Sequence, residues 1–384
     1  MAIKSLLLAS AAGLVAATSA RAADAIVIPE PEPVEYVRVC DAYGAGYFYI
    51  PGTETCLKIS GYVWYQIGAE SYDGGDSPDF LTYGGYPDDE GWIKSTRARV
   101  EFDARSDTEW GTLRAFIRLQ ATWGEPSDGS VVADQAFIQL GGLRMGYTES
   151  VWNDSIGAGV ASYGSHSWGS MSYGDQQRHQ ISYSFGSDQG FAATLSLEDD
   201  ALDGDGYMPD VVGAASYNQS WGAVWAKAGF DEDRSAVDDL GDSGFGVTAG
   251  VQFNIPGFEG SSVRVIGYYS DSDNAYSVIS PVSVVGGFGA SEFSVIASYY
   301  HQFTDTFGAS VGYQYFSDYY LPLTEIKSGV EGHAAEVAFV WTPIENFEVR
   351  SEIYYDNVGE LSSLGIPYDP DGTVSGFLRF TRFF

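Results

Sequence analysis

Basic residues are scarce in this chain. Its 384 residues hold 19 Lys and Arg against 52 Asp and Glu, a formal net charge of −33. Nucleic acid is bound through cations that neutralise phosphates, so this balance argues against nucleic acid as a partner. It equally disfavours electrostatic docking on anionic lipid. Such acidity gives either a solvated surface or acidic loops that concentrate cations around a mouth.

Histidine and cysteine are also few. The four histidines, His166, His179, His301 and His333, lack metal-ligand spacing, so no metal and no cofactor are expected. Ser165-His166-Ser167 is no catalytic motif, because a triad is defined by geometry, and no catalytic residue is assigned. The two cysteines, Cys40 and Cys56, stand 16 positions apart without a neighbouring ligand. In an exported chain that spacing predicts a local disulfide.

Long apolar runs are missing after the N-terminus, and 18 or more such residues are needed for a spanning helix. The first residues read as a secretory signal: Lys4, an apolar stretch from Leu6 to Ala17, and the small-x-small site Ala20-Arg21-Ala22. We therefore expect a signal peptide over 1–22 and an N-terminal periplasmic or entry segment with the disulfide over 23–56, whose stretch from Ala23 to Val39 is rich in Pro and Glu. Residues 57–384 are expected to form the body of the protein.

What is present is a period of two. Arg97, Arg99, Glu101, Asp103 and Arg105 alternate with Ala98, Val100, Phe102 and Ala104. In a strand the first set lies on one face and the second on the other. The sorting recurs in Leu113–Ala121, Phe245–Asn254, Phe307–Gln314 and Val349–Ile353. Aromatics, among them Trp110, Trp123, Trp221, Trp341, Phe347 and Tyr355, gather at segment ends as in interfacial girdles.

Two kinds of connection separate these segments. Short ones fall at 106–109, 141–142, 188–190, near 220, and at 256–260, 304–306 and 343–346. Long, polar, acidic ones fall at 68–91, 125–130, 148–177, 199–210, 231–242, 271–290, 317–330 and 357–372. They alternate strictly, which predicts an all-β, 16-stranded antiparallel transmembrane β-barrel with short periplasmic turns and long extracellular loops. A barrel this wide keeps an open lumen. A soluble sandwich or propeller also alternates, but no repeated 40-residue unit supports one.

The segment Val39-Cys40-Asp41-Ala42-Tyr43-Gly44-Ala45-Gly46-Tyr47-Phe48-Tyr49-Ile50-Pro51-Gly52-Thr53-Glu54-Thr55-Cys56-Leu57 resembles the alphaproteobacterial general-diffusion porins. Ala23–Val27, Glu35–Arg38 and Phe377–Phe380 look like the same family. Phe137–Leu140 with Gly142–Arg144 is similar to its fourth-to-fifth-strand hairpin. The resemblance implies a homotrimer in the bacterial outer membrane, with a third loop folded into the lumen. The terminal aromatic Phe384 resembles the signal read by the barrel assembly machinery. Arg382 interrupts the outer row of the last strand, with the reach to snorkel to lipid headgroups.

The connection 148–177 matches the position of that constriction loop and carries Glu149, Asp154 and Asp175. The basic residues expected to face it are Arg97, Arg99, Arg114 and Arg118. Opposed rows of charge would set a transverse field across a narrow water column. For the arginines the competing role is pairing with Glu101 and Asp103 along the wall. The expected function is a pore for passive diffusion of small hydrophilic solutes and ions, modestly cation-preferring. A substrate-specific outer-membrane channel is the alternative, and an enzyme is not expected.

Overall fold

The computed structural model describes residues 38–71, 92–124, 127–155, 164–168, 171–187, 189–199, 208–233, 243–279, 288–359 and 372–384. The expected signal peptide and most of the Pro/Glu-rich segment lie outside the described residues.

The strands follow one another in chain order. First come β1 (Phe48–Tyr49), β2 (Cys56–Ser71), β3 (Trp92–Thr108), β4 (Gly111–Gly124) and β5 (Ser127–Asp128). Next are β6 (Val132–Leu140), β7 (Leu143–Glu149), β8 (Gln177–Gly186), β9 (Gly190–Asp199) and β10 (Asp210–Gln219). Then β11 (Gly222–Asp231), β12 (Gly244–Asn254), β13 (Ser262–Ser270), β14 (Val278–Ile279) and β15 (Ala290–Thr304). The series ends with β16 (Phe307–Tyr319), β17 (Gly332–Ile344), β18 (Phe347–Val358) and β19 (Thr373–Phe383).

All pairings are antiparallel, and β19 returns to β2 from Phe383↔Tyr62 to Val374↔Ser71, closing the ring. Setting aside the two-residue strands β1, β5 and β14, 16 long strands form the barrel, as the alternating connections predict.

Burial runs opposite to that of a soluble protein. On the outer face Val63, Ile117, Ile138, Val311 and Ile353 are between 44% and 52% exposed, while inward Gln314 and Glu352 are fully buried. In water that apolar surface would cost about 25 cal/mol per Å². Hydrocarbon removes the cost, and closure satisfies the backbone with no free edge.

Two glycines show why the seams need them. The last residue closes on β2 through reciprocal bonds, Gly61 N to Phe384 O and Phe384 N to Gly61 O, each 3.1 Å. A Cβ on Gly61 would stand 2.1 Å from Arg99 O and 3.0 Å from the Phe384 ring. In the β6–β7 turn Gly141 adopts φ 56°, and a Cβ there would stand 2.8 Å from Trp110 O. Arg382 reaches a rim, but its guanidinium donates to Asn346 O at 3.0 Å, tying the last strand to the β17–β18 turn.

Candidate functional site

The connection after β7, the fifth barrel strand, is held by inward-facing side chains of the wall. At its start Ser150 Oγ donates to Glu198 Oε2 at 2.6 Å and Val151 N to Glu198 Oε1 at 2.9 Å. Lys227, on β11, donates to the carbonyls of Trp152 and Asp154 at 3.0 and 2.7 Å. Arg264, on β13, donates to the carbonyls of Gly164 and Ser165 at 2.7 and 2.9 Å.

Further along, His166 bridges Ser298 and Ser262, both at 2.8 Å. Ser167 donates to Glu336, and Trp168 N donates to Glu352 Oε1 at 2.8 Å. On the return, Ser172 N donates to Gln314 Oε1 at 2.9 Å. These partners sit on β9, β11, β13, β15, β16, β17 and β18, so the described residues of the connection lie inside the barrel along one side of its wall. Trp152 packs against Tyr276 of the β13–β15 connection within the same inner apolar cluster.

The inner faces of β3 and β4 carry the arginines, with partners on β2, β4 and β6. Arg97 donates to Thr122 Oγ1 at 2.8 Å and lies over the Trp64 ring at 5.3 Å. Arg99 donates to Gln120 Oε1 at 2.6 Å, lies over Tyr62 at 5.1 Å and stands 3.6 Å from Asp134. Arg118 bonds Glu101 at 2.8 Å and reaches Asp134 and Glu149 at 3.5 and 3.7 Å. Arg114 and Arg105 both grip Asp103, at 2.9 and 2.8 Å. Thus Arg118 meets a loop-base acid, whereas Arg114 is held in wall pairing.

The loop acids meet one another as well as arginines. Asn153 Nδ2 donates to Glu149 Oε2 and Asp175 Oδ1, each at 3.0 Å, and Asp154 pairs with Arg144 at 2.9 Å. Burial pushes the Asp175 carboxyl above the usual aspartate range; the Tyr173 hydroxyl works against that shift, and nearby Asp134 adds to it.

Three participants escape the sequence reading. Asp134 is aimed by a β-bulge: Arg118 opposes Gln135 while Leu119 opposes Ala133, leaving Asp134 as the extra residue. Arg379 and Lys227 sit in inward rows, but their partners lie 211 and 73 to 75 residues away in sequence, at Trp168 and on the carbonyls of Trp152 and Asp154. The disulfide Cys40–Cys56 forms as expected and packs with Tyr47.

A closed antiparallel barrel with an apolar outer face and an internal loop is the architecture of outer-membrane β-barrel proteins. The family model described as Porin subfamily matches residues 24–375, and the chain belongs to that family of the outer membrane. It is 45% identical over 260 residues to Porin Omp2b of Brucella suis and of Brucella abortus. That match covers 60% of this chain and 66% of each relative, just under two thirds of their length.

Among solved structures, the outer membrane channel DcaP of Acinetobacter baumannii superposes with TM-score 0.64 at 12% identity, covering 88% of this chain and 99% of that one. The anion-selective porin from Comamonas acidovorans gives 0.57 at 11% identity, covering 86% and 100%. These two likenesses establish the fold. The relatives and neighbours are porins and channels, not enzymes.

Proposed function

We propose that the chain forms a water-filled channel through which small hydrophilic solutes and ions diffuse passively, with a modest preference for cations. The observation that carries this reading is the loop's attachment along β9 to β18. With the loop fastened there, the arginine wall of β2 to β6 lines the remaining passage. Arg97, Arg99 and Arg118 form the basic side of the constriction, and Glu149, Asp154 and Asp175 the acidic side.

The cation preference follows from charge at the mouth. The connection 72–91 alone carries Asp73, Asp76, Asp79, Asp88, Asp89 and Glu90 with no Lys or Arg. Such loops raise the local cation concentration, and salt screens the effect over about 10 Å at 0.1 M. We further infer a homotrimer embedded in outer-membrane lipid, with Phe384 read by the barrel assembly machinery during insertion.

The test is a planar bilayer holding the refolded mature chain under a salt gradient. Conductance steps in threes with a cation-biased reversal potential are expected. A verified, folded barrel without current would overturn the pore. Saturable block by one solute at low concentration would point instead to a substrate-specific channel.

A further inference from the structure

We propose that the disulfide-fastened segment Cys40–Tyr49 is a second selectivity element, set at the short-turn mouth of the pore; the proposal rests on the porin reading above. The argument begins with parity. Lys58 on β2, and Asp103, Arg105 and Asp107 on β3, all belong to the inward-facing rows. The segment packs on these side chains. Tyr43 Oη donates to Asp107 Oδ1 at 2.7 Å. The Arg105 guanidinium lies over the rings of Tyr43 and Tyr47 at 5.9 and 5.4 Å. Lys58 Nζ lies over the Tyr47 ring at 5.9 Å. The segment therefore stands inside the ring of short turns.

Register explains how it is held there. Tyr49 pairs with Cys56 and Phe48 with Leu57. The edge of β2 facing β3 is already taken at that level by Cys56↔Arg105. So β1 uses the other edge, which β19 occupies only from Gly61 onward. The closing strand stops short of the rim, and the stapled segment takes up the remaining edge. Cys40 N donates to Tyr47 O at 2.9 Å, and the disulfide anchors the same residue to the first residue of β2.

Its composition suits a filter. Gly44 and Gly46 take φ 95° and 90°, so the chain curls tightly, and Asp41 is exposed on it. Burial and the Asp107 carboxylate push the Tyr43 phenol up to about 12, so it remains a donor near neutral pH. Asp107 lies eight residues beyond Arg99 on β3, about 26 Å along the strand at ~3.3 Å per residue. A solute that clears the arginine wall thus meets a separate station made of Asp41, Tyr43 and Asp107.

The experiment uses the full mature chain in a planar bilayer. Its conductance before treatment tests the porin reading independently. A water-soluble phosphine then supplies two electrons to the disulfide: the S–S bond breaks and each sulfur takes a proton to become a thiol. Phosphorus takes oxygen from water and ends as the phosphine oxide. Maleimide labelling counts the thiols, and a Cys40→Ser/Cys56→Ser chain repeats the comparison without reductant. Release of the segment should widen the mouth and raise single-channel conductance persistently, roughly 1.2-fold. Tyr43→Ala, with the disulfide intact, should move conductance the same way.

Full labelling, or the double serine variant, with unchanged conductance and reversal potential overturns the proposal. So does loss of all current, which would make the segment a brace for the barrel. Unchanged conductance in Tyr43→Ala counts against the filter in the same way.

Discussion

The guanidinium of Arg379, on the last strand, lies 3.7 Å over the ring of Trp168, on the loop that leaves the fifth barrel strand. Trp64 and Phe377 flank the same cation at 4.7 and 4.6 Å, and Gln66 accepts from its Nε at 2.8 Å. The far end of the loop is thereby clasped to the strand that closes the barrel. A cation–π contact is worth about 0.5–1 kcal/mol at exposed sites and about 2 kcal/mol when desolvated; here Arg379 is buried and Trp168 half exposed, which places the contact between the two.

Arg379→Ala should therefore raise the population of channels with an undocked loop tip by roughly tenfold, since about 1.4 kcal/mol is one factor of ten. Open-channel current noise should grow while the barrel still folds. Trp168→Phe, which keeps a ring for the cation, should show a smaller increase. Equal noise in Arg379→Ala and the parent would reduce the contact to incidental packing.

Arg97 and Arg114 belong to one inward row system yet should respond differently. Arg97 is met by Thr122 and the Trp64 ring, and among the described residues it makes no ion pair. Arg114 and Arg105 share Asp103. Arg97→Ala should raise conductance and strengthen cation preference with little change in stability. Arg114→Ala leaves the buried Asp103 with one arginine, costing about 1–3 kcal/mol, so thermal stability should drop. Conductance traces and melting curves of the two variants separate the roles.

The barrel was legible because one physical rule governs every strand. Lipid on one side and polar lumen on the other force a period of two from Leu57 to Phe380, and strict alternation of connection length gives the strand number. The constriction was only partly legible. Glu149 and Arg118 stand 3.7 Å apart, while Arg114 follows its local partner Asp103 on the neighbouring strand. Asp134 enters the site because a bulge inserts a residue, and no pattern in the sequence marks a bulge there. Loop anchors such as Lys227 and Arg264 depend on contacts 73 to 100 residues apart, which periodicity cannot report.

Asp175 gives the proposed cation preference a pH dependence. Burial raises its carboxyl above the ordinary value of 3.8, with Asp134 contributing, so it gains a proton while exposed aspartates remain ionised. As pH falls through that raised value, Asp175 gains a proton and its negative charge is lost from the proposed constriction. Cation preference should therefore decline on acidification, beginning above pH 3.8. Asp175→Asn should lower the preference at pH 7 and remove the early part of the decline. Reversal potentials recorded from pH 7 to 4 in a fixed salt gradient measure both effects.

His166 acts in the opposite sense on loop docking. Burial, reinforced by the neighbouring Arg264 guanidinium, lowers its imidazole from 6.5 to about 3, so the docked ring is neutral and bridges Ser298 and Ser262. An undocked loop would protonate that ring near 6.5. The folded-state value is depressed, so this contribution to docking is complete above about 6.5 and is lost as pH falls toward about 3. Acidification from pH 7 to 4.5 should then increase open-channel noise and protease cleavage within the loop. His166→Gln keeps polar atoms toward both serines but cannot titrate, so its noise should stay flat across that range. A parent-like rise in the Gln variant would assign the acid response to other groups, with Asp175 already excluded because its protonation favours the packed loop.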